Sequence, residues 1–375
     1  MTPPPARAGD PIAAIATPAL VIDQDALERN IARMAAFARE CGLRLRPHAK
    51  THKSAQIARM QIAAGALGVC VQKVSEAEAL AARGIADLYI SNEVVAEDRV
   101  ARVAALAGQV RLAIAADSAL GIDRLARAVQ AAGSTIDVFV EVDVGQGRCG
   151  AAPAGAGSLA RRVVSHAGLR FAGLQAYHGG AQHIRSSADR EAAIRRAVAA
   201  AAAARAAVTS AGVACPLVTG AGSGSFAFEA ASGVYGELQP GSYVFLDRDY
   251  AANEAAPNAP AFEHALFVLS RVMSRGEAHA VVDAGHKSHA IDSGLPAVWQ
   301  RDLDFANGGD EHGILLPRAG SGSHALPALD EVVWLVPGHC DPTVNLHDHY
   351  VCLRGGLDQG VVEAVWPVDA RGCVI

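Results

Sequence analysis

Over its first two thirds the chain alternates short β-like runs with Ala-rich helical stretches, and this alternation limits the fold more than any other feature. The candidate strands are Leu43–Arg46, Gly68–Gln72, Leu88–Ser91, Val110–Ile114, Ile136–Asp143, Gly173–Tyr177, Leu217–Thr219 and Gly241–Phe245. Between most of them lie stretches with apolar residues three and four apart, such as Ser75–Arg83 and Glu97–Ala107. The longest, Ser187–Ala211, is rich in Ala and Arg, both good helix formers. Ser75, with Glu76 and Glu78 behind it, makes a helix start. Eight strand–helix units in roughly 200 residues predict a (β/α)8 barrel of TIM type, with an open doubly wound sheet as the alternative.

The pattern changes near Asp249. From about Ala261 onward the β-like runs are Ala265–Val272, Ala280–Asp283, Val332–Val336, Tyr350–Arg354 and Gly360–Val368, separated by Gly and Pro clusters. This predicts a second, mostly β domain. Thr17–Asp23 is a further strand candidate ahead of the helix Gln24–Cys41 and outside the barrel set. The expected division is a barrel over 24–250 and a β domain made of 1–23 plus 251–375.

The chain has 375 residues, 51% of them hydrophobic and 19% charged, enough to bury a sizeable core. Its 33 Lys and Arg stand against 38 Asp and Glu, a balance that argues against a nucleic-acid partner. No apolar run reaches the roughly 18 residues of a membrane helix; the Ala-rich stretch near 199–207 comes closest, and Arg205 interrupts it. Met1–Pro11 hold four prolines and no apolar core, so no signal peptide is expected there. Seven widely spaced cysteines without a CxxC pair fit a reducing cytoplasm.

Chemistry in such a barrel belongs at the C-terminal strand ends. Lys50 follows the first barrel strand within Arg46–Lys53, RPHAKTHK. A partly buried lysine flanked by basic groups has a lowered pKa and can form a Schiff base, whereas the plainer reading is a basic surface turn. Thr219–Ser225, TGAGSGS, follows the seventh strand and could cradle a phosphate, as the loops after strands seven and eight do in such barrels. Gln239-Pro240-Gly241-Ser242 could complete the nest. Arg148, on a Gly-bearing loop after the fifth strand, either reaches a phenolate or carboxylate or makes a structural salt bridge. On a strand-like segment His339 and Asp341 would share a face and could bind one cation, with Cys340 pointing away. Imidazole plus carboxylate suits Mn or Zn, and Mg less well. His347-Asp348-His349 offers another candidate pair.

Seven motifs, TPALVID, RPHAKTHK, VEVDVGQGRCG, QAYHGGAQH, TGAGSGSF, ELQPGSYVF and PGHCDPTVN, run in this order from Thr17 onward. Together they resemble the family of D-threonine aldolases and eukaryotic-type D-serine dehydratases. That family is similar to the N-terminal part of alanine racemase: fold-type III pyridoxal phosphate enzymes with a barrel and a β domain. The resemblance implies that Lys50 is the Schiff-base lysine and that Arg148 bonds the cofactor phenolate oxygen. It puts Tyr177 beside the cofactor, and Thr219, Gly220, Gly222, Ser223, Gly241 and Ser242 at the phosphate. Gln239 stands where alanine racemases have an arginine facing the pyridine nitrogen; a neutral partner there is expected to leave that nitrogen unprotonated and the ring a weaker electron sink. His339 and Asp341 become metal ligands, and His183 a candidate base near the substrate hydroxyl. Gly309–His312 also resembles a family feature, without an assigned role.

One position divides the family. Dehydratases tend to carry Cys two residues after the metal-binding His, and aldolases Asp; Asp341 favours an aldolase. The implied activity is metal-dependent cleavage of D-threonine or a related D-3-hydroxy amino acid to glycine and an aldehyde. Manganese is the expected metal, with Mg or Zn as alternatives. A 3-hydroxy-D-aspartate aldolase is the nearest variant, and a D-serine or D-threo-3-hydroxyaspartate dehydratase the next. A non-catalytic pyridoxal phosphate carrier would resemble the barrel half alone, and an amino-acid racemase would need a tyrosine base from a partner subunit. By resemblance the chain is expected to form a homodimer.

Overall fold

The structure is a computed structural model and describes residues 3–320 and 326–375. Eight parallel strands form one sheet, in the order Arg44–Leu45, Glu237–Leu238, Val218–Gly220, Leu169–Ala176, Ile136–Glu141, Arg111–Ala116, Asp87–Glu93 and Val69–Val71. The ring closes just beyond its first strand: Ala49 N donates to Cys70 O at 2.7 Å, and Cys70 N donates to Pro47 O at 2.8 Å. The barrel, and not the open sheet, is therefore the fold. Successive strand residues face opposite ways. Cys70, Tyr89, Ala113, Ala115 and Phe139 pack together as one small cluster, while Leu88, Ile90, Leu112, Ile114, Val138 and Val140 pack in the larger one shared with the helices.

The helices form for local reasons. Glu97–Ala107 buries Val100, Val103, Ala104 and Leu106, a stripe at helical spacing, and starts with Glu97 and Asp98 at the positive end of its dipole. Ala119–Ala132 begins where the Ser118 side chain accepts from Gly121 N and stops at Gly133, whose φ of 63° ends the helix. The 24-residue helix Ser187–Ser210 buries Ala193, Ile194, Ala197, Ala201, Ala204 and Val208, so small side chains let it lie close to the barrel.

The eighth strand differs from expectation. Gly241–Phe245 is not extended: Ser242–Val244 is a 3-10 turn, and Glu237–Leu238 supplies the strand. Pro240 has no N–H to give a ladder, so pairing stops before it. The chain then coils back, with Leu246 N donating to Ser242 O at 2.8 Å.

Among the described residues the second sheet has nine strands. Its main path runs Leu303–Asn307, Gly313–Pro317, Ala280–Val282, Leu266–Arg275, Ala19–Asp23, His349–Arg354 and Val361–Pro367. Val332–Val336 also pairs with Leu266–Arg275 and carries Ala297–Val298 on its far side. The early strand Ala19–Asp23 sits inside this sheet, antiparallel to Leu266–Arg275 and parallel to His349–Arg354. Asp23 ends that strand and caps the helix Gln24–Glu40, its carboxylate accepting from Ala26 N at 3.0 Å. Among the described residues no helix is long and apolar enough to cross a membrane.

Candidate active site

A cavity of about 450 Å³ opens at the C-terminal end of the barrel strands. Lys50, Arg148, Tyr177, Gly222, Ser223, Gln239, Gly241 and Ser242 all line it, so eight of the thirteen residues singled out in the sequence meet there. His48, Gln72, Lys73, Ser91, Asn92, Gln175 and Tyr250 add further polar groups to its wall.

Lys50 is placed by the turn that closes the barrel, and its Nζ bonds the carboxylate of Asp341 from the second sheet's side of the molecule. Burial pushes the lysine pKa down, but the Asp341 carboxylate outweighs it and the net shift is upward. The expected lowering from flanking basic groups is thus reversed by a partner that is 291 residues away in sequence. Burial likewise raises Asp341, yet Lys50 and His339 outweigh it and bring the carboxyl down to about 2.

His339 and Asp341 do come together, with Nε2 4.0 Å from Oδ1. The strand geometry expected for them is not the reason. His339 caps a short helix, Cys340–Val344, and Asp341 lies in its first turn. His339 Nδ1 lies 2.6 Å from Asp292 Oδ2, which leaves Nε2 toward Asp341. Asp341 Oδ1 is buried without a hydrogen-bond partner. At the alternative candidate, His347 Nε2 bonds Ser288 O at 2.8 Å, and Asp348 bonds Arg371 at 2.8 Å. Among the described residues, no group of three or more His, Cys, Asp or Glu side chains is arranged to hold a metal ion.

The anion cradle is made by backbone. A Cβ on Gly222 would lie 2.4 Å from Gln182 Oε1, and one on Gly241 would lie 2.7 Å from Thr51 Oγ1. Neither position has room for a side chain, and both glycines line the cavity. Ser223 Oγ accepts from Tyr243 N at 2.9 Å and ties the two loops together. Thr219 and Gly220 do not line the cavity. Thr219 is fully buried behind Gln239, and Gly220 is a glycine because a Cβ there would lie 2.3 Å from Ala176 O on the next strand. Also on the cavity wall, the Arg148 guanidinium lies 5.7 Å from the centre of the Tyr177 ring. Its loop is shaped by Asp143 Oδ1, which accepts from Gly145 N at 2.9 Å and Gly147 N at 3.1 Å.

His183 ends the 3-10 turn Gly179–His183 and stands outside the cavity lining. Its ring centre is 5.6 Å from that of Tyr250, which does line it. Its Nδ1 lies 2.5 Å from Asp249 Oδ2, so Nε2 is the nitrogen left for other chemistry. Asp249 and Asp292 were invisible in the sequence, because each holds its histidine across a long chain separation and no motif marks it.

Glu141 ends a barrel strand and is 4% exposed. Burial and the Glu93 carboxyl beside it push its pKa up to about 9. The folded chain therefore keeps a proton that an unfolded glutamate has lost, and stability falls as pH rises between the two values. The slope is at most about 1.4 kcal/mol per pH unit. Glu141→Gln keeps the shape without the charge and is expected to flatten it. Denaturant midpoints at about pH 6 and about pH 8 check this.

Cavity, cradle and lysine on an eight-stranded barrel define an enzyme built like an alanine racemase. The family models agree: "Alanine racemase, N-terminal domain" matches residues 22–249, and a serine dehydratase domain model matches 265–353. The chain belongs to this family of alanine racemase-like enzymes with a dehydratase-type second domain, which includes D-threonine aldolases. It is 46% identical to a D-threonine aldolase of Arthrobacter sp. over 374 residues, covering 99% of this chain and 96% of the relative. It is 42% identical to a 3-hydroxy-D-aspartate aldolase of Paracoccus denitrificans over 379 residues, covering 98% and 95%. The crystal structure of D-threonine aldolase from Filomicrobium marinum matches with a TM-score of 0.96 and 47% identity over 100% of both chains. A D-threo-3-hydroxyaspartate dehydratase variant solved in a metal-free form matches with a TM-score of 0.83 and 27% identity over 96% of this chain and 98% of that one.

Proposed function

We propose that this chain is a D-threonine aldolase that uses pyridoxal phosphate and a divalent cation. It splits D-threonine and related D-3-hydroxy amino acids between Cα and Cβ to glycine and an aldehyde. The observation that carries the reading is the contact of Lys50, which lines the cavity, with Asp341: a lysine able to anchor a carbonyl cofactor and a carboxylate able to hold a cation stand side by side. The full-length likeness to D-threonine aldolases supports it.

The residues fit both groups. The cavity is within the size range of cofactor sites, bare glycine backbone forms a phosphate cradle at Gly222 and Gly241, and Ser223 and Ser242 add hydroxyls. Arg148 would hold an anionic ring oxygen, Tyr177 would flank the ring, Gln239 would face its nitrogen, and Lys50 would anchor it. When bound, pyridoxal phosphate supplies an electron sink for the pair released from the Cα–Cβ bond. Asp341 Oδ1, buried and without a partner, and His339 Nε2 would hold the cation, which supplies a Lewis acid for the substrate hydroxyl. Imidazole and carboxylate suit manganese, with Mg or Zn as alternatives. His183, oriented by Asp249, takes the hydroxyl proton at Nε2. Lys50 Nζ returns a proton to Cα.

In this reading the barrel of 24–250 carries the cofactor, and the β domain of 1–23 plus 251–375 carries the metal pair. The active species is a homodimer, to be checked by light scattering. Its compartment is the cytoplasm, a reading supported by seven unpaired thiols.

The test is a product assay with D-threonine, pyridoxal phosphate and Mn, with and without a chelator. Acetaldehyde and glycine, lost on chelation, are the expected result. Ammonia and 2-oxobutanoate would overturn the reading in favour of a dehydratase. The likeness to a 3-hydroxy-D-aspartate aldolase favours a second reading, in which glyoxylate leaves. The ratio of kcat/KM for the two substrates decides between them.

Asp292 enters here as the partner that orients His339. Asp292→Asn is expected to weaken manganese binding about tenfold or more, the usual cost of removing a ligand's hydrogen-bond partner. Cation titration followed by manganese paramagnetic resonance checks this.

A further inference from the structure

Gln239 lines the cavity and is 4% exposed. An amide can donate two hydrogens and accept at its oxygen, so what it offers a ligand depends on which of these its neighbours have taken. Here the order of hydrogens is fixed from one end. Glu237 is paired with Arg46, Oε2 to Nε at 3.4 Å, and a carboxylate only accepts. Its Oε1 lies 2.8 Å from Thr219 Oγ1, so the one hydroxyl hydrogen of Thr219 points at Glu237. The Thr219 oxygen is then an acceptor for its other neighbour, Gln239 Nε2, at 2.7 Å. This settles which end of the Gln239 amide is nitrogen. The second amide hydrogen goes to Gln175 Oε1 at 2.9 Å, an oxygen that also accepts from Tyr89 Oη at 2.9 Å. Gln239 Oε1 accepts from Gln175 Nε2 at 3.2 Å and keeps one lone pair.

We infer that Gln239 offers the cavity a hydrogen-bond acceptor and no donor, and so holds a ring nitrogen placed against it in the protonated N–H form. This rests on the proposed function, in which Gln239 faces the cofactor's ring nitrogen. It reverses the expectation that a neutral partner leaves that nitrogen bare. An amide without charge still has a donor end and an acceptor end, and the buried chain from Glu237 through Thr219 turns the donor end away. In a site of low dielectric the remaining carbonyl dipole favours the positive ring. A protonated ring is the stronger electron sink, and the bond to be broken then depends less on the cation. Thr219 and Glu237 are positioning residues in this account. Gln175 keeps one amide hydrogen of its own, and it is the group that would hold an unprotonated nitrogen instead.

The experiment is 15N NMR of the holoenzyme loaded with pyridoxal phosphate labelled at the ring nitrogen, at mildly alkaline pH. The expected wild-type signal lies in the pyridinium range. Gln239→Glu should keep it there, and Gln239→Arg should move it to the unprotonated range. Thr219→Val releases one amide hydrogen and should move the signal the same way as the arginine. A bound cofactor with an unprotonated nitrogen in the wild type would overturn the inference and leave the aldolase reading standing. A pyridinium signal that neither Gln239→Arg nor Thr219→Val moves would also overturn it. A protein that retains no cofactor would remove both readings. The wild-type spectrum needs no variant to fold.

Discussion

Lys50→Ala is expected to lower cleavage of D-threonine by about 10⁴-fold or more, because it removes the group proposed both to anchor the cofactor and to move a proton at Cα. Lys50→Arg should not rescue it: guanidinium keeps the charge beside Asp341 but stays protonated at every working pH. The two variants differ in another respect. In the metal-free chain, alanine leaves the half-buried Asp341 carboxylate without its cationic partner from the barrel, which is expected to destabilise the fold. Adding manganese should restore much of that stability to Lys50→Ala without restoring turnover. Initial rates, the absorbance of bound cofactor, and thermal midpoints with and without metal check the three claims. Turnover within tenfold of wild type in Lys50→Ala would remove this residue from the chemistry.

Asp341→Ala is expected to abolish the stimulation by added cation and to lower the rate about 10³-fold, since Lewis-acid stabilisation contributes several kcal/mol. Lys50 and His339 outweigh burial and hold the carboxyl down to about 2, so it is ionised and able to bind a cation near neutral pH. Asp341→Cys replaces a hard oxygen by a soft sulfur and should shift preference from manganese toward zinc. Metal titrations of the two variants, read beside product analysis, check both expectations. Full metal-dependent activity in Asp341→Ala would mean that His339 binds the cation with other partners.

Most of the barrel was legible because its signals are local. Apolar runs ended by Gly or polar turns marked seven strands, and helical stripes such as Val100, Val103 and Ala104 marked the layer around them. The eighth strand was misplaced by a few residues because Tyr243, Val244 and Phe245 look like a strand; their burial comes instead from a turn packed under the second sheet. Ala297–Val298, Leu303–Asn307 and Gly313–Pro317 escaped notice because they are short and lie among Gly, Asp and His. The site followed the same rule. Lys50, Arg148 and the glycine loops belong to contiguous motifs at strand ends, whereas Asp249 and Asp292 act only through space. Strand spacing would set His339 and Asp341 on one face, but it is a helix start that brings them within 4.0 Å of each other. Thr219 belongs to a phosphate-like motif, yet its hydroxyl bonds Glu237 and Gln239.

The strand Ala19–Asp23 has a consequence for biosynthesis. It leaves the ribosome early, but its neighbours in the sheet are Leu266–Arg275 and His349–Arg354. Until residue 354 has emerged, a buried strand with Leu20, Val21 and Ile22 lacks at least one flank and can pair with another chain. The barrel's strand–helix units meet near neighbours in sequence and can settle while synthesis continues. The nascent protein is therefore most vulnerable to aggregation in the interval between a finished barrel and a finished sheet. Asp341 and His339, the proposed cation pair, are delivered in that same interval, so completion of the proposed site and protection of the N-terminal strand arrive together.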